Sequence, residues 1–160
     1  MNMQKITLLN KLIQDFPELS FTPADDFVWK PKNKEILYNP NETSNFNILL
    51  LHEVAHYLAG HQEYGLDIEL IKMEAEAWNI VNTKLVPKYE IMSKKEYQED
   101  QLDSYRDWLH KRSLCPNCNI NGFQIDKSNY KCPACNTLWK VNQAKFTSLR
   151  RKIINKKPHL

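Results

Sequence analysis

His52 and His56 stand four residues apart in the run LLHEVAHYLAGH (50–61), with Glu53 beside the first of them. Residues four apart on a helix share a face, so both imidazoles can reach one metal ion. Neutral imidazole suits Zn2+, and Glu53 sits beside the pair where a metal-bound water would be. Zinc draws the pKa of such a water towards neutrality and the glutamate takes its proton, which is the chemistry of metal-assisted peptide-bond hydrolysis. Leu49, Leu50, Leu51, Val54, Ala55 and Leu58 surround the motif. Histidines buried in such a run need polar partners, and a metal is a good one.

A catalytic zinc takes three protein ligands and leaves a fourth position open. His61 is the nearest further histidine, but it follows Gly60, where the helix should end. Its spacing also misses HExxHxxGxxH by one residue, so a capping or surface role is expected for it. The segment KMEAEAWNIV (72–81) offers Glu74 and Glu76. At about 100° per residue, Leu70, Met73, Ala77, Trp78, Val81 and Leu85 share one helix face, with Glu74 near its middle. Glu76 points to the opposite side with Lys72 and Thr83. A lone carboxylate inside an apolar stripe is costly unless it is paired or binds metal. Glu74 is therefore expected as the third ligand and Glu76 as a solvated surface residue. Tyr57, His61, Tyr64 and Tyr89 all stay open as groups that could stabilise an oxyanion.

Cys115, Cys118, Cys132 and Cys135 form a second ligand set, C-x2-C-x13-C-x2-C. Two such knuckles joined by a short hairpin make a tetrahedral four-thiolate zinc site, closed to water and therefore structural. A module of some 30 residues cannot bury enough surface to fold alone, so a metal is needed there. A redox dithiol would require a thioredoxin-like βαβ context, which the sequence lacks.

The elements that must position these groups follow from periodicity and punctuation. ITLLNKLIQDF (6–16) has helical spacing and ends near Pro17. FVWKPKNKEILYNP reads as strand (Phe27–Trp29), turn, strand (Glu35–Tyr38). A second helix carries the HExxH run and stops at Gly60, a good C′ residue. A third runs from Asp67 to about Val86 and is stopped by Pro87. SKKE (93–96) is a capping box that opens a fourth helix to about Arg112. The tail from Val141 is basic and expected to be partly frayed. The expected organisation is α+β, with a domain of helices and a short hairpin over 1–92, a connecting helix over 93–112, a cysteine module over 113–142 and a basic tail over 143–160.

The 160 residues carry a formal charge of +3 that hides an asymmetry. Residues 1–103 hold 10 Lys/Arg against 17 Asp/Glu, a formal −7, and residues 104–160 hold 12 against 2, a formal +10. The basic half suggests nucleic acid as a partner, with Tyr130 and Trp139 available to stack on bases. Binding of the tail to the acidic half is an equally simple alternative. No run of 18 apolar residues exists, so no membrane span is expected, and the N-terminus has no signal-peptide core. A cytoplasmic location is expected. The sequence does not fix the oligomeric state.

LLHEVAHYLAGH followed by EAEAWNIVNTKLVP (74–87) resembles the ImmA/IrrE family of zinc metallopeptidases, whose pattern is roughly HELGHxxLGH and then ExEANxFAxxLLMP. His52, Glu53 and His56 match the first motif; Glu74, Glu76, Ala77, Leu85 and Pro87 match the second. Trp78 stands where the family usually has Asn, and Ile80-Val81 where it has Phe-Ala. The resemblance covers roughly residues 5–90. It implies a small zincin-like (gluzincin) domain in which Glu53 is the base and His52, His56 and Glu74 hold a catalytic zinc, acting on a protein or peptide substrate. Relatives cleave DNA-binding repressors or act in phage and stress control. SprT-like proteins, which join HExxH to a zinc ribbon, are a second comparison, but their third ligand is usually a histidine, and no suitable one follows His61 in the third helix. The competing expectation is a non-catalytic zinc module whose ribbon and tail bind nucleic acid or a protein.

Overall fold

The computed structural model describes residues 3–144 and 148–155, the first four of these by backbone alone. The fold is mixed α+β, with its strands in two small sheets. The chain divides into two compact units, one formed by Met1–Glu63 and Met73–Gln98, the other by Tyr64–Lys72 and Glu99–Leu160.

The first unit opens with helix α1 (Met3–Asp15), whose Leu8, Leu9 and Leu12 are buried. Strands β1 (Ser20–Pro23), β2 (Val28–Lys30) and β3 (Glu35–Tyr38) follow. They form a sheet of order β1-β3-β2, in which β1 runs parallel and β2 antiparallel to β3. The expected strand pair is therefore present, with its turn closed by a 3-10 segment at Pro31–Asn33 and left-handed Lys34. The additional strand β1 is short and ends in proline, which hid it from a reading of alternation.

Helix α2 (Phe46–Leu58) carries the HExxH run, and its buried residues are Phe46, Ile48, Leu50, Leu51, His52, Glu53, Val54, Ala55 and His56. A helix apolar nearly all round belongs in the core. It ends as Gly60 predicts: Gly60 takes φ +70°, its N–H donates to Tyr57 O (2.9 Å), and the His61 N–H donates to His56 O (3.0 Å). These are the paired bonds of a Schellman turn, which folds the residue after the glycine back over the last turn.

Helix α3 (Asp67–Ile80) leads into a wider π turn at Val81–Leu85 and then α4 (Val86–Tyr89). The expectation that Pro87 stops the third helix is corrected: the helical path continues to Tyr89 and ends at left-handed Glu90. Pro87 lies in the first turn of α4, where a missing N–H costs no helical bond. Helix α5 (Lys95–Ser113) fills the expected fourth position. The hydroxyl of Ser93 donates to Asn82 Oδ1 at 3.1 Å.

In the second unit, β4 (Phe123–Gln124), β5 (Asn129–Lys131), β6 (Leu138–Val141) and β7 (Arg151–Ile153) form an antiparallel sheet in that order. Its core is Cys115, Tyr130, Cys132, Trp139 and Val141. Within the tail, expected to be partly frayed, Arg151–Ile153 form strand β7 and pair with Trp139–Val141. Residues 145–147 and 156–160 of the tail lie outside the described residues. Gly122 is required here, because a Cβ at that position would lie 2.6 Å from Lys131 O. Fully buried Arg112 pairs with Asp67 (Nε–Oδ2 2.5 Å), which also accepts the Tyr130 hydroxyl (2.5 Å). Among the described residues, no helix is long and apolar enough to cross a membrane.

Candidate metal centres

His52, His56 and Glu74 come together, each buried, and each offers a ligand atom within 4.8 Å of the others. The helical spacing of α2 brings His52 Nε2 and His56 Nε2 to 3.0 Å. Helix α3 delivers Glu74, with Oε2 at 2.9 Å from His52 Nε2 and Oε1 at 3.7 Å from His56 Nε2. Two imidazole nitrogens and a carboxylate oxygen bound to a four-coordinate ion at about 2.0–2.1 Å would lie about 3.3 Å apart. The observed separations straddle that value, and the donor set suits a divalent metal. Burial pushes the Glu74 carboxyl up, but hydrogen bonds with His52 and His56 and their charge outweigh it, holding Glu74 well below the usual carboxylate range. It is therefore an anion facing two imidazoles, as metal ligation requires.

Glu53 lies beside this group without joining it. Its Oε2 accepts the backbone N–H of Trp29 at 2.6 Å, so edge strand β2 fixes the carboxylate. Burial raises the Glu53 pKa, and the neighbouring Glu74 adds to this, while His52, His56 and the Trp29 amide oppose it. A raised carboxyl is suited to hold and return a proton.

The surroundings of the two histidines differ. His52 Nδ1 is buried and has no hydrogen-bond partner among the described residues. Its ring stacks on Trp78 (centroids 4.0 Å, interplanar 27°). His56 Nδ1 instead meets His61 Nδ1 at 2.8 Å, and His61 Nε2 meets Glu76 Oε2 at 3.2 Å. Of the capping or surface role expected of His61, the surface part is corrected, since the residue is only 7% exposed, while its backbone N–H does cap α2 at His56 O. Glu76 is solvated as expected, with its side chain 60% exposed, yet it is also His61's partner. Burial lowers the His61 pKa, with Glu76 opposing, which favours the neutral ring. The signal for His61 was present in the sequence: a glycine C′ places the next residue over the position five before it, here His56.

The oxyanion candidates Tyr57 and Tyr89 both spend their hydroxyls elsewhere. Tyr57 donates to Glu18, and Tyr89 donates to Asp15 at 2.7 Å.

The four cysteines form the second cluster. The sulfurs of Cys115 and Cys135, Cys118 and Cys132, and Cys118 and Cys135 lie 3.5–3.6 Å apart, far beyond the roughly 2.05 Å of a disulfide. A tetrahedron of metal–sulfur bonds of about 2.3 Å has edges near 3.8 Å. The cysteines thus fit one four-coordinate metal. Hydrogen bonds from Thr137 and Asn117 pull Cys135 down to about 5. Tyr130 and Trp139 stack on one another here (5.6 Å, 15°) and are 1% and 0% exposed. They are core residues, and the expectation that they stack on bases is corrected.

Comparison with protein-family models, curated proteins and solved structures finds no match.

Proposed function

We propose that the chain is a zinc-dependent metallopeptidase of the HExxH…E type, related to the ImmA/IrrE family, with a zincin-like first unit and a structural zinc ribbon in the second. One observation carries the reading: α3 brings a buried, ionised Glu74 to the two histidines of α2, while Glu53 stands beside them outside the donor set. His52, His56 and Glu74 would hold a catalytic Zn2+, and Cys115, Cys118, Cys132 and Cys135 a structural one. When bound, the catalytic zinc supplies a Lewis acid that polarises a carbonyl and acidifies water. Glu53 accepts the proton of the attacking water and hands it to the leaving amine. Trp29 N–H keeps one carboxylate oxygen of Glu53 in place and leaves the other for that transfer. Glu53→Gln keeps size and polarity but removes the base. It is expected to retain both metals and the fold while cleavage of a quenched peptide library falls about 10²–10⁴-fold. Cleavage within a fewfold of wild type would remove Glu53 from the role.

A second reading concerns the ribbon, as a nucleic-acid-binding surface of the same protein or of a non-catalytic zinc module. It is favoured by the face opposite Tyr130 and Trp139. Strand alternation sets Asn129, Lys140 and Lys152 in one cross-strand row and Phe123, Lys131 and Leu138 in the next. Phe123 is 52% exposed. Lys140 and Lys152 are directly opposed, an unfavourable pairing that a polyanion would relieve. Asp126 is the acidic neighbour, its carboxyl lowered first by Asn129 and in small part by Lys140. Three phosphate contacts would weaken binding of single-stranded DNA by about 20-fold between 50 and 200 mM salt. Lys140→Ala with Lys152→Ala should flatten that slope by about 1.4, and equal slopes would exclude this face.

A further inference from the structure

We infer that His61 and Glu76 are positioning residues that lock His56 as a metal ligand through a directed chain of hydrogen bonds, His56 Nδ1 to His61 Nδ1 (2.8 Å) and His61 Nε2 to Glu76 Oε2 (3.2 Å). The inference rests on the metallopeptidase reading and names residues beyond its ligand set.

The direction of the chain follows from proton counting. His56 presents Nε2 to His52 and Glu74, so a metal there takes the Nε2 lone pair. A neutral imidazole has one N–H, which must then be on Nδ1. The atom facing it, His61 Nδ1, can only accept. His61 therefore carries its own proton on Nε2, where the Glu76 carboxylate receives it. The reverse arrangement would set two N–H groups against each other at 2.8 Å. Each atom has one role, and Glu76 fixes the far end.

Local structure holds the relay in register. The Schellman turn at Gly60 ties the His61 N–H to His56 O, so backbone and side chain of His61 both meet the same residue. The two rings meet edge-on, with centroids 4.9 Å apart and planes at 62°. Trp29 Nε1 donates to His61 O at 3.0 Å, anchoring the turn to the strand that also holds Glu53. His52 has no comparable support, because its Nδ1 is orphaned beneath Trp78. Orientation of the pair thus falls on His56. Outer partners of this kind are typically worth 10–100-fold in metal affinity.

The test measures zinc affinity by chelator competition on the reduced full-length chain, with the four-cysteine site kept loaded. His61→Phe keeps an aromatic ring but removes the acceptor, and is expected to weaken the His52–His56–Glu74 site about 10–100-fold. His61→Asn places an amide oxygen near the lost Nδ1 and is expected to recover most of that loss. Thermal unfolding of each metal-free variant checks that the first unit is intact. A His61→Phe affinity equal to wild type would overturn the inference and leave the metallopeptidase reading standing. Equal losses in Phe and Asn would also overturn it, since shape rather than the hydrogen bond would then matter. A wild-type chain that binds no zinc at this site overturns both.

Discussion

At the scale of single residues, the choice between Glu74 and Glu76 decides what the site can be. The two lie two positions apart on α3, and helical phase alone separates them: one points into the apolar stripe and the other away. The structure keeps that separation, with Glu74 6% exposed beside the histidines and Glu76 at the surface. Glu74→Ala is predicted to lose the metal of this site, whereas Glu76→Ala keeps it with affinity reduced by no more than about 100-fold. Metal analysis after dialysis against a weak chelator distinguishes the two, and the opposite ranking would reassign the third ligand. This part of the site was legible because burial of a carboxylate is costly and phase is easy to count. His61 was not, because reading its spacing against a known histidine pattern passed over the turn that bends it back onto His56.

At the scale of elements, helices and cysteine knuckles were legible and short irregular pieces were not. Helix α2 announces itself through its apolar run and its glycine stop. Strand β1 has four residues and a proline, and it pairs with a strand fifteen positions later, Ser20 with Glu35, so no local pattern reports it. Pro87 reads as a stop in sequence because the π turn before it, which resets the helix start, has no sequence signature. Gly122→Ala must displace both the Lys131 carbonyl and the Trp139 ring, and should cost about 1–3 kcal/mol of the stability of the β4–β7 sheet, read by thermal unfolding of the metal-loaded chain. An unchanged midpoint would mean that the turn has room. Asp15 joins the end of α1 to α4, accepting from Lys88 Nζ at 2.8 Å and from the Tyr89 hydroxyl. These bonds, that from Lys88 first, lower its pKa in the fold. A depressed carboxyl stabilises above its unfolded value of about 3.9 and loses that contribution as pH falls through the folded value. Asp15→Asn should therefore lower the thermal midpoint at pH 7, and the gap to wild type should close as pH falls below the unfolded value of about 3.9 and through the lowered folded one. A gap that is constant with pH would assign the effect to packing rather than charge.

At the scale of the whole molecule, the chain places a histidine–glutamate donor set in its first unit and a four-thiolate set in its second, each complete within its own unit. Each ligand set was visible as spacing; that Tyr130 and Trp139 are core rather than surface was not, because strand alternation needs the register that only pairing supplies. Two independent donor sets imply two metals that can be removed separately. If the proposed zinc holds the β4–β7 sheet together, Cys115→Ala should unfold that sheet and leave zinc at His52, His56 and Glu74. His56→Ala should do the reverse. The measurement that bears most directly on the account is the zinc content of the purified chain by elemental analysis, for wild type and these two variants. Two zinc ions are expected per wild-type chain and one in each variant. A wild-type content of one, unchanged by Cys115→Ala, would contradict this.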